Sequence, residues 1–188
     1  MILVVDHYDS FTFNLVQLIE SLGERTEVVK SDAESAERLL ERKPSAVVLS
    51  PGPGRPEDAG CFPELLEILP HDTPVLGVCL GHQALGVSAG GIVERATPVH
   101  GKASLVHHDG KGLFDGVPNP FEAARYHSLV VRRVGLPDGL ALTAWSDDGL
   151  VMATRDRTRP RFGVQFHPES ILTPDGPKII RNFLARAR

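Results

Sequence analysis

Through its first ninety residues the chain alternates short apolar runs with segments of helical periodicity. Residues 2–5, 26–29, 46–49 and 74–78 read as strands, and 11–22, 35–42, 62–69 and 82–89 as helices. Segment 11–22 shows the pattern: Phe11, Leu15, Leu18, Ile19 and Leu22 fall on one helical face, and Gly23 stops it. Continuous apolar runs, rather than alternating ones, suit strands buried on both faces. Strands alternating with helices then imply a parallel sheet covered on both sides through right-handed crossovers.

The pattern changes after Gly90-Gly91. Residues 92–94, 103–107, 122–125, 129–134, 140–145, 151–154 and 162–166 read as strands, with turn signals at Asp109-Gly110, Asp138-Gly139 and Asp148-Gly149. A last helix is expected over 174–187, with Ile179, Ile180, Phe183 and Leu184 as its stripe. The expected architecture is an α/β core with an antiparallel β extension. No linker or repeat divides the chain, so 1–188 is read as a single domain.

Composition removes several function classes. Two cysteines in 188 residues, with no CxxC spacing, exclude a disulfide scaffold and a zinc ribbon. Twenty Lys and Arg against 24 Asp and Glu give a net charge of −4, which does not favour nucleic acid as a partner. No apolar run has the length of a membrane span, and Asp6 interrupts the N-terminal apolar run, unlike a signal peptide. A cytoplasmic, reducing location is expected, with both cysteines as thiols.

Ligands of open parallel sheets bind at the carboxyl ends of the strands. Segments of unusual composition fall there: 6–14, 50–54, 79–83 and His167-Pro168-Glu169. The strongest signal is Gly77-Val78-Cys79-Leu80-Gly81, a nucleophile flanked by glycines between a strand and a helix. A thiol at a helix start gains from the helix dipole, and the N–H of Leu80 is placed to stabilise an oxyanion. Cys61 lacks such a setting and is expected to be a packed, inert thiol. Among eight histidines, His7, His71, His100, His107 and His108 read as solvated loop or strand-end residues, and His127 as a loop residue. His82 begins the helix after Cys79 and can cap or pack it. His167 ends an apolar strand before a proline, with Glu169 able to hold one tautomer. Ser50-Pro51-Gly52-Pro53-Gly54 is a stiff loop with exposed N–H groups that could supply a second oxyanion donor. GxGxxG after the first strand and GxxxxGK[ST] are both missing, so neither a dinucleotide fold nor a P-loop is supported.

Together these stretches resemble the class I (triad-type) glutamine amidotransferases. The resemblance rests on Asp6-His7-Tyr8-Asp9-Ser10-Phe11-Thr12-Phe13-Asn14, the Ser50 to Gly54 loop, Gly77-Val78-Cys79-Leu80-Gly81-His82-Gln83, Tyr126-His127-Ser128-Leu129 and Gly163-Val164-Gln165-Phe166-His167-Pro168-Glu169-Ser170, in the family's order. It covers essentially the whole chain. Within the family it is similar to the glutaminase subunits of chorismate-using synthases, in anthranilate or para-aminobenzoate formation. It implies a flavodoxin-like, mostly parallel open sheet flanked by helices. It also implies a triad of Cys79, His167 and Glu169, and a glutamine site lined by Gly52, Pro53, Gly54, Leu80, Gln83, Ser128 and Leu129, with Ser128 and Leu129 acting largely through their backbone. The N–H groups of Leu80 and Gly54 would hold the oxyanion.

The implied substrate is L-glutamine, and the implied partner a larger chorismate-binding synthase subunit in a hetero-oligomer. No metal or other cofactor is expected in this chain, and Mg²⁺ is expected on the partner. The segment 6–14 is expected to border the partner surface, although Asp9 or Ser10 capping the first helix explains part of it. Anthranilate and aminodeoxychorismate synthases, or service to both, stay open as destinations of the ammonia. A stand-alone cysteine hydrolase and a non-catalytic glutamine sensor are the remaining readings.

Overall fold

The computed structural model describes residues 1–187. The chain runs β1 (Ile2–Asp6), α1 (Thr12–Ser21), β2 (Thr26–Lys30), α2 (Ala36–Glu41), β3 (Ala46–Leu49), α3 (Phe62–Ile68), β4 (Val75–Val78) and α4 (Leu80–Ser88). It continues as β5 (Val93–His108), β6 (Phe121–Val131), β7 (Leu140–Ser146), β8 (Val151–Asp156), β9 (Arg161–Val164) and α5 (Gly176–Leu184). The strands form one sheet in the order β2-β1-β3-β4-β9-β8-β7-β5-β6. Its first five are parallel, in the doubly wound order in which ligands sit where the winding direction reverses. Strand β9 is parallel to β4 and antiparallel to β8, so it joins the α/β core to the antiparallel part.

Successive residues of a strand point to opposite faces, and this divides the core in two. Ile2, Val4, Val48, Leu76, Val78 and Phe162 pack with Leu15 and Ile19 of α1 and Ile179, Ile180 and Phe183 of α5. Leu3, Val5, Val47, Leu49 and Val75 pack with Leu39 of α2, Phe62 and Leu65 of α3, and Leu80 and Ala84 of α4. The expected helix-covered parallel sheet with an antiparallel extension is what the chain forms.

Three expectations need correction. Segments 92–94 and 103–107, read as two strands, are one strand, β5, irregular in register between Arg95 and Val99 and between His100 and Lys102. Segments 122–125 and 129–131 belong to one strand, β6, with no interruption at Tyr126-His127-Ser128, while 132–134, read as strand, lie beyond its end. His127 therefore lies within a strand, because pairing with β5 overrides the polar composition that suggested a loop. His108 is not solvated. It is buried and stacked on Phe114 at 4.8 Å, its Nδ1 3.0 Å from the Gly110 N–H and its Nε2 2.9 Å from the Pro118 carbonyl.

The segment after β1 is fastened from inside. The buried Asp6 carboxylate accepts from Thr12 Oγ1 at 2.8 Å and from the Asp9 N–H at 3.2 Å, and pairs with Lys30. Asp9 in turn accepts from the Phe11 N–H at 2.7 Å, while α1 itself has no side-chain cap. Burial pushes the Asp6 carboxyl up, but the bonds to Lys30, Thr12 and the Asp9 N–H outweigh it and hold it below the usual range. Such a group stabilises the fold above its unfolded value, and that stabilisation is lost as pH falls through the lowered folded value. Asp6→Asn is expected to cost roughly 1.5–3 kcal/mol near neutral pH and to flatten the acid limb of the stability profile, read from urea unfolding at several pH values. Phe183→Ala, at a fully buried α5 position edge-on to Phe162, is expected to cost about 3–5 kcal/mol, with a lower urea midpoint and an unchanged slope.

Candidate active site

Cys79 occupies the single residue between β4 and α4, with φ 52° and ψ −99°. This left-handed conformation is strained for a side-chain-bearing residue, and the neighbours show how it is imposed. A Cβ on Gly77 would lie 2.4 Å from the Gly81 carbonyl oxygen, and one on Gly81 would lie 2.4 Å from that of Leu49. Only glycine lets β4, the turn and α4 fold onto β3 so closely. The Cys79 N–H is anchored on the Val164 carbonyl at 2.8 Å, which ties the elbow to β9. Leu80 begins α4, where N–H groups have no acceptor within the helix. The other thiol, Cys61, starts α3; burial pushes it up to about 11, which leaves it protonated and unreactive.

The chain leaving β9 carries the remaining polar groups. His167 Nδ1 lies 2.6 Å from Glu169 Oε1, with both side chains essentially excluded from solvent. The His167 N–H bonds to the Ala124 carbonyl of β6 at 3.0 Å, and its carbonyl accepts from Thr173 Oγ1 at 2.7 Å. Phe11 and Tyr126 flank the imidazole edge-on, at 5.5 and 5.1 Å. Burial opposes a charge on His167, yet the nearby Cys79 thiol and the hydrogen bond to Glu169 raise its proton affinity well above the ordinary histidine value. Its Nε2 completes no hydrogen bond among the described residues and stays available for proton exchange.

A cleft of about 160 Å³ opens at this end of the sheet. Gly52, Pro53, Gly54, Cys79, Leu80, Gln83, Ser128 and Leu129 all line it, so the structure brings the nucleophile elbow and the expected glutamine-site residues together. The loop from Ser50 to Gly54 is pressed into place. The Ser50 hydroxyl accepts from the His7 N–H at 2.8 Å, and a Cβ on Gly52 would lie 2.6 Å from the His7 carbonyl oxygen. His7 is half-buried with Nδ1 2.7 Å from Ser31 Oγ, not a freely solvated ring.

Gln83 is one helical turn beyond Cys79, but its amide nitrogen is committed to the Leu129 carbonyl at 2.9 Å and Gln165 Oε1 at 3.2 Å. Its carbonyl oxygen is what it can offer a ligand. Gln165, which has no individual role on sequence grounds, is fully buried and points its amide nitrogen at Cys79 Sγ, 3.5 Å away. Its signal is a polar residue inside the apolar run 162–166.

Tyr126 and His127, part of the motif but not among the residues expected at the glutamine site, also line the cleft. Burial, then the nearby Arg125 charge, pushes His127 down to about 4, so it is neutral. Arg125 Nε donates to its Nε2 at 3.1 Å, which places the ring proton on Nδ1. His82 does not begin the helix, as expected, but sits inside its first turn; it is fully buried against Gly163, and burial pushes it down to about 3.

The family model described as glutamine amidotransferase class-I matches residues 3–187. The chain is 46% identical over 190 residues to anthranilate synthase component 2 of Azospirillum brasilense, covering 100% of this chain and 97% of that protein. It is 48% identical over 186 residues to the bifunctional protein TrpGD of Thermotoga maritima; the match takes in 97% of this chain but only 32% of that longer protein. Among solved structures it resembles a GMP synthase subunit of Thermoplasma acidophilum, with a TM-score of 0.88, 28% identity, and coverage of 99% of this chain and 92% of that one. From the first strand to the last helix, this chain belongs to the class-I glutamine amidotransferases.

Proposed function

We propose that the chain is the glutaminase subunit of an anthranilate-forming synthase. It would hydrolyse L-glutamine and pass the ammonia to a larger, chorismate-binding subunit. The observation that carries the branch is the 46% identity to the Azospirillum component 2 across nearly all of that protein. Under this reading the chain needs no cofactor of its own, and Mg²⁺ belongs to the partner.

The chemistry follows from the groups around the cleft. Cys79 Sγ attacks the side-chain amide carbonyl of glutamine while His167 Nε2 takes the thiol proton. The oxyanion is received by the N–H groups of Leu80 and Gly54. His167 returns the proton to the departing nitrogen, and ammonia leaves behind a glutamyl thioester. Water, deprotonated by the same imidazole, attacks that thioester; glutamate departs and the thiol is restored. Glu169 holds His167 in the tautomer with a proton on Nδ1 and stabilises the imidazolium formed at each transfer. Gln165 restrains the thiol, and Gln83 and the 128–129 backbone orient the substrate. The partner would dock over Tyr8 and Phe13, aromatic side chains of the 6–14 segment that are more than half exposed.

Cys79→Ser is expected to abolish glutamine-dependent product formation by the reconstituted complex and to leave ammonia-dependent formation intact. Chromatographic identification of the aminated product tests the branch in the same assay: anthranilate supports it, and aminodeoxychorismate overturns it. Glu169→Gln is expected to lower kcat for glutamine roughly 10²–10⁴-fold. It is also expected to move the His167 titration downward, measured by NMR on the imidazole protons. The sign follows from linkage: a raised folded value stabilises the protein fully below the ordinary histidine value, and the effect is lost as pH rises through the folded one. Removing Glu169 therefore narrows that window from its alkaline side.

A further inference from the structure

At the opposite end of β9, far along the strand from His167, two arginine side chains complete no hydrogen bond or ion pair among the described residues. Arg161 is 4% exposed, and its Nε and Nη2 are buried with no hydrogen-bond acceptor among the described residues. The half-buried Arg159 side chain forms no hydrogen bond or ion pair among those residues either. Both line two adjoining cavities, of about 200 and 450 Å³, which also share Ser88 near the end of α4.

The nearby acids are largely engaged elsewhere. Asp156 Oδ1 accepts from the Thr158 and Arg159 N–H groups of its own turn, at 2.8 and 3.0 Å, and Glu57 pairs with Arg55 at 3.3 Å. Glu67 lines the larger cavity and is itself exposed to solvent. Burial and the Arg159 charge both disfavour the Arg161 cation, with only partial relief from Asp156. A buried guanidinium without a carboxylate costs stability that a methionine of similar reach would not. Its fork geometry fits an oxyanion, and the larger cavity adds apolar walls from Pro63, Leu66 and Val87.

We propose that these cavities form one binding site for a small anionic molecule, its carboxylate or phosphate held by Arg161 and Arg159 and its apolar body lying over Leu66 and Val87. The site stands apart from the glutamine cleft but shares α4 and β9 with it.

Thermal unfolding at constant ionic strength tests this with inorganic phosphate, phenyl phosphate and benzoate as probes. The wild-type Tm is expected to rise with phenyl phosphate or benzoate, at concentrations at least tenfold below those needed for inorganic phosphate. The stronger of the two organic probes identifies the preferred headgroup. Arg161→Met is expected to abolish these rises and to match or exceed the wild-type Tm in probe-free buffer. No rise in the wild type, or equal rises in Arg161→Met, overturns the site; organic probes no better than phosphate overturn its apolar half. If Arg161→Met fails to fold, Arg159→Gln is expected to weaken the same titrations at least threefold, and unchanged midpoints there overturn the proposal.

Discussion

Close approach of main chains at the β4–α4 junction governs the arrangement of the site. Gly77, Gly81 and the Leu49 carbonyl meet at distances that leave no room for a Cβ, so the turn has to pass through a single residue held in the left-handed region. The surrounding packing imposes that strain, and it lifts the Cys79 thiol out of the sheet toward the cleft. Because the same residue is tied through its N–H to β9, the strand that leads into His167 is placed relative to the thiol by main-chain bonds rather than by flexible side chains.

Three histidines near this junction show how environment divides one residue type into distinct roles. His82 and His127 are buried without a carboxylate and remain neutral, which suits packing and hydrogen bonding. His167 is equally buried but has Glu169 on one edge and Cys79 nearby, and these raise its proton affinity where burial alone lowers that of the others. The electrostatic difference comes from the Cys79 thiol and from one carboxylate two residues along the chain.

Much of this was legible in the sequence, because periodicity and glycine spacing are local properties. Uninterrupted apolar runs marked β1, β3 and β4, and GxCxG marked the elbow. The resemblance supplied the residues that meet at the cleft. What the sequence concealed depends on pairing at a distance. His127 read as a loop residue because its neighbours are polar, yet β5 draws it into a strand. His108 read as solvated because the aromatic shell that buries it, Phe114 and Phe121, comes from the following connection and strand. Asp9 read as a helix cap, but the deeper anchor is Asp6, whose partners lie as far as Lys30.

Strand β6 acts as a ruler. The Ala124 carbonyl holds the His167 main chain, and the Leu129 carbonyl holds the Gln83 side chain on the nucleophile helix. The five residue steps from Ala124 to Leu129, roughly 17 Å of extended chain, thus set the span between the segment bearing the imidazole and the helix bearing the thiol. A single inserted or deleted residue within that interval would shift one anchor and reverse the facing of the side chains beyond it. The largely exposed connection at 132–139 lies outside this measure and can vary in length. Over evolutionary time the antiparallel half of the molecule should therefore change size by its connections and hold β6 to a fixed count.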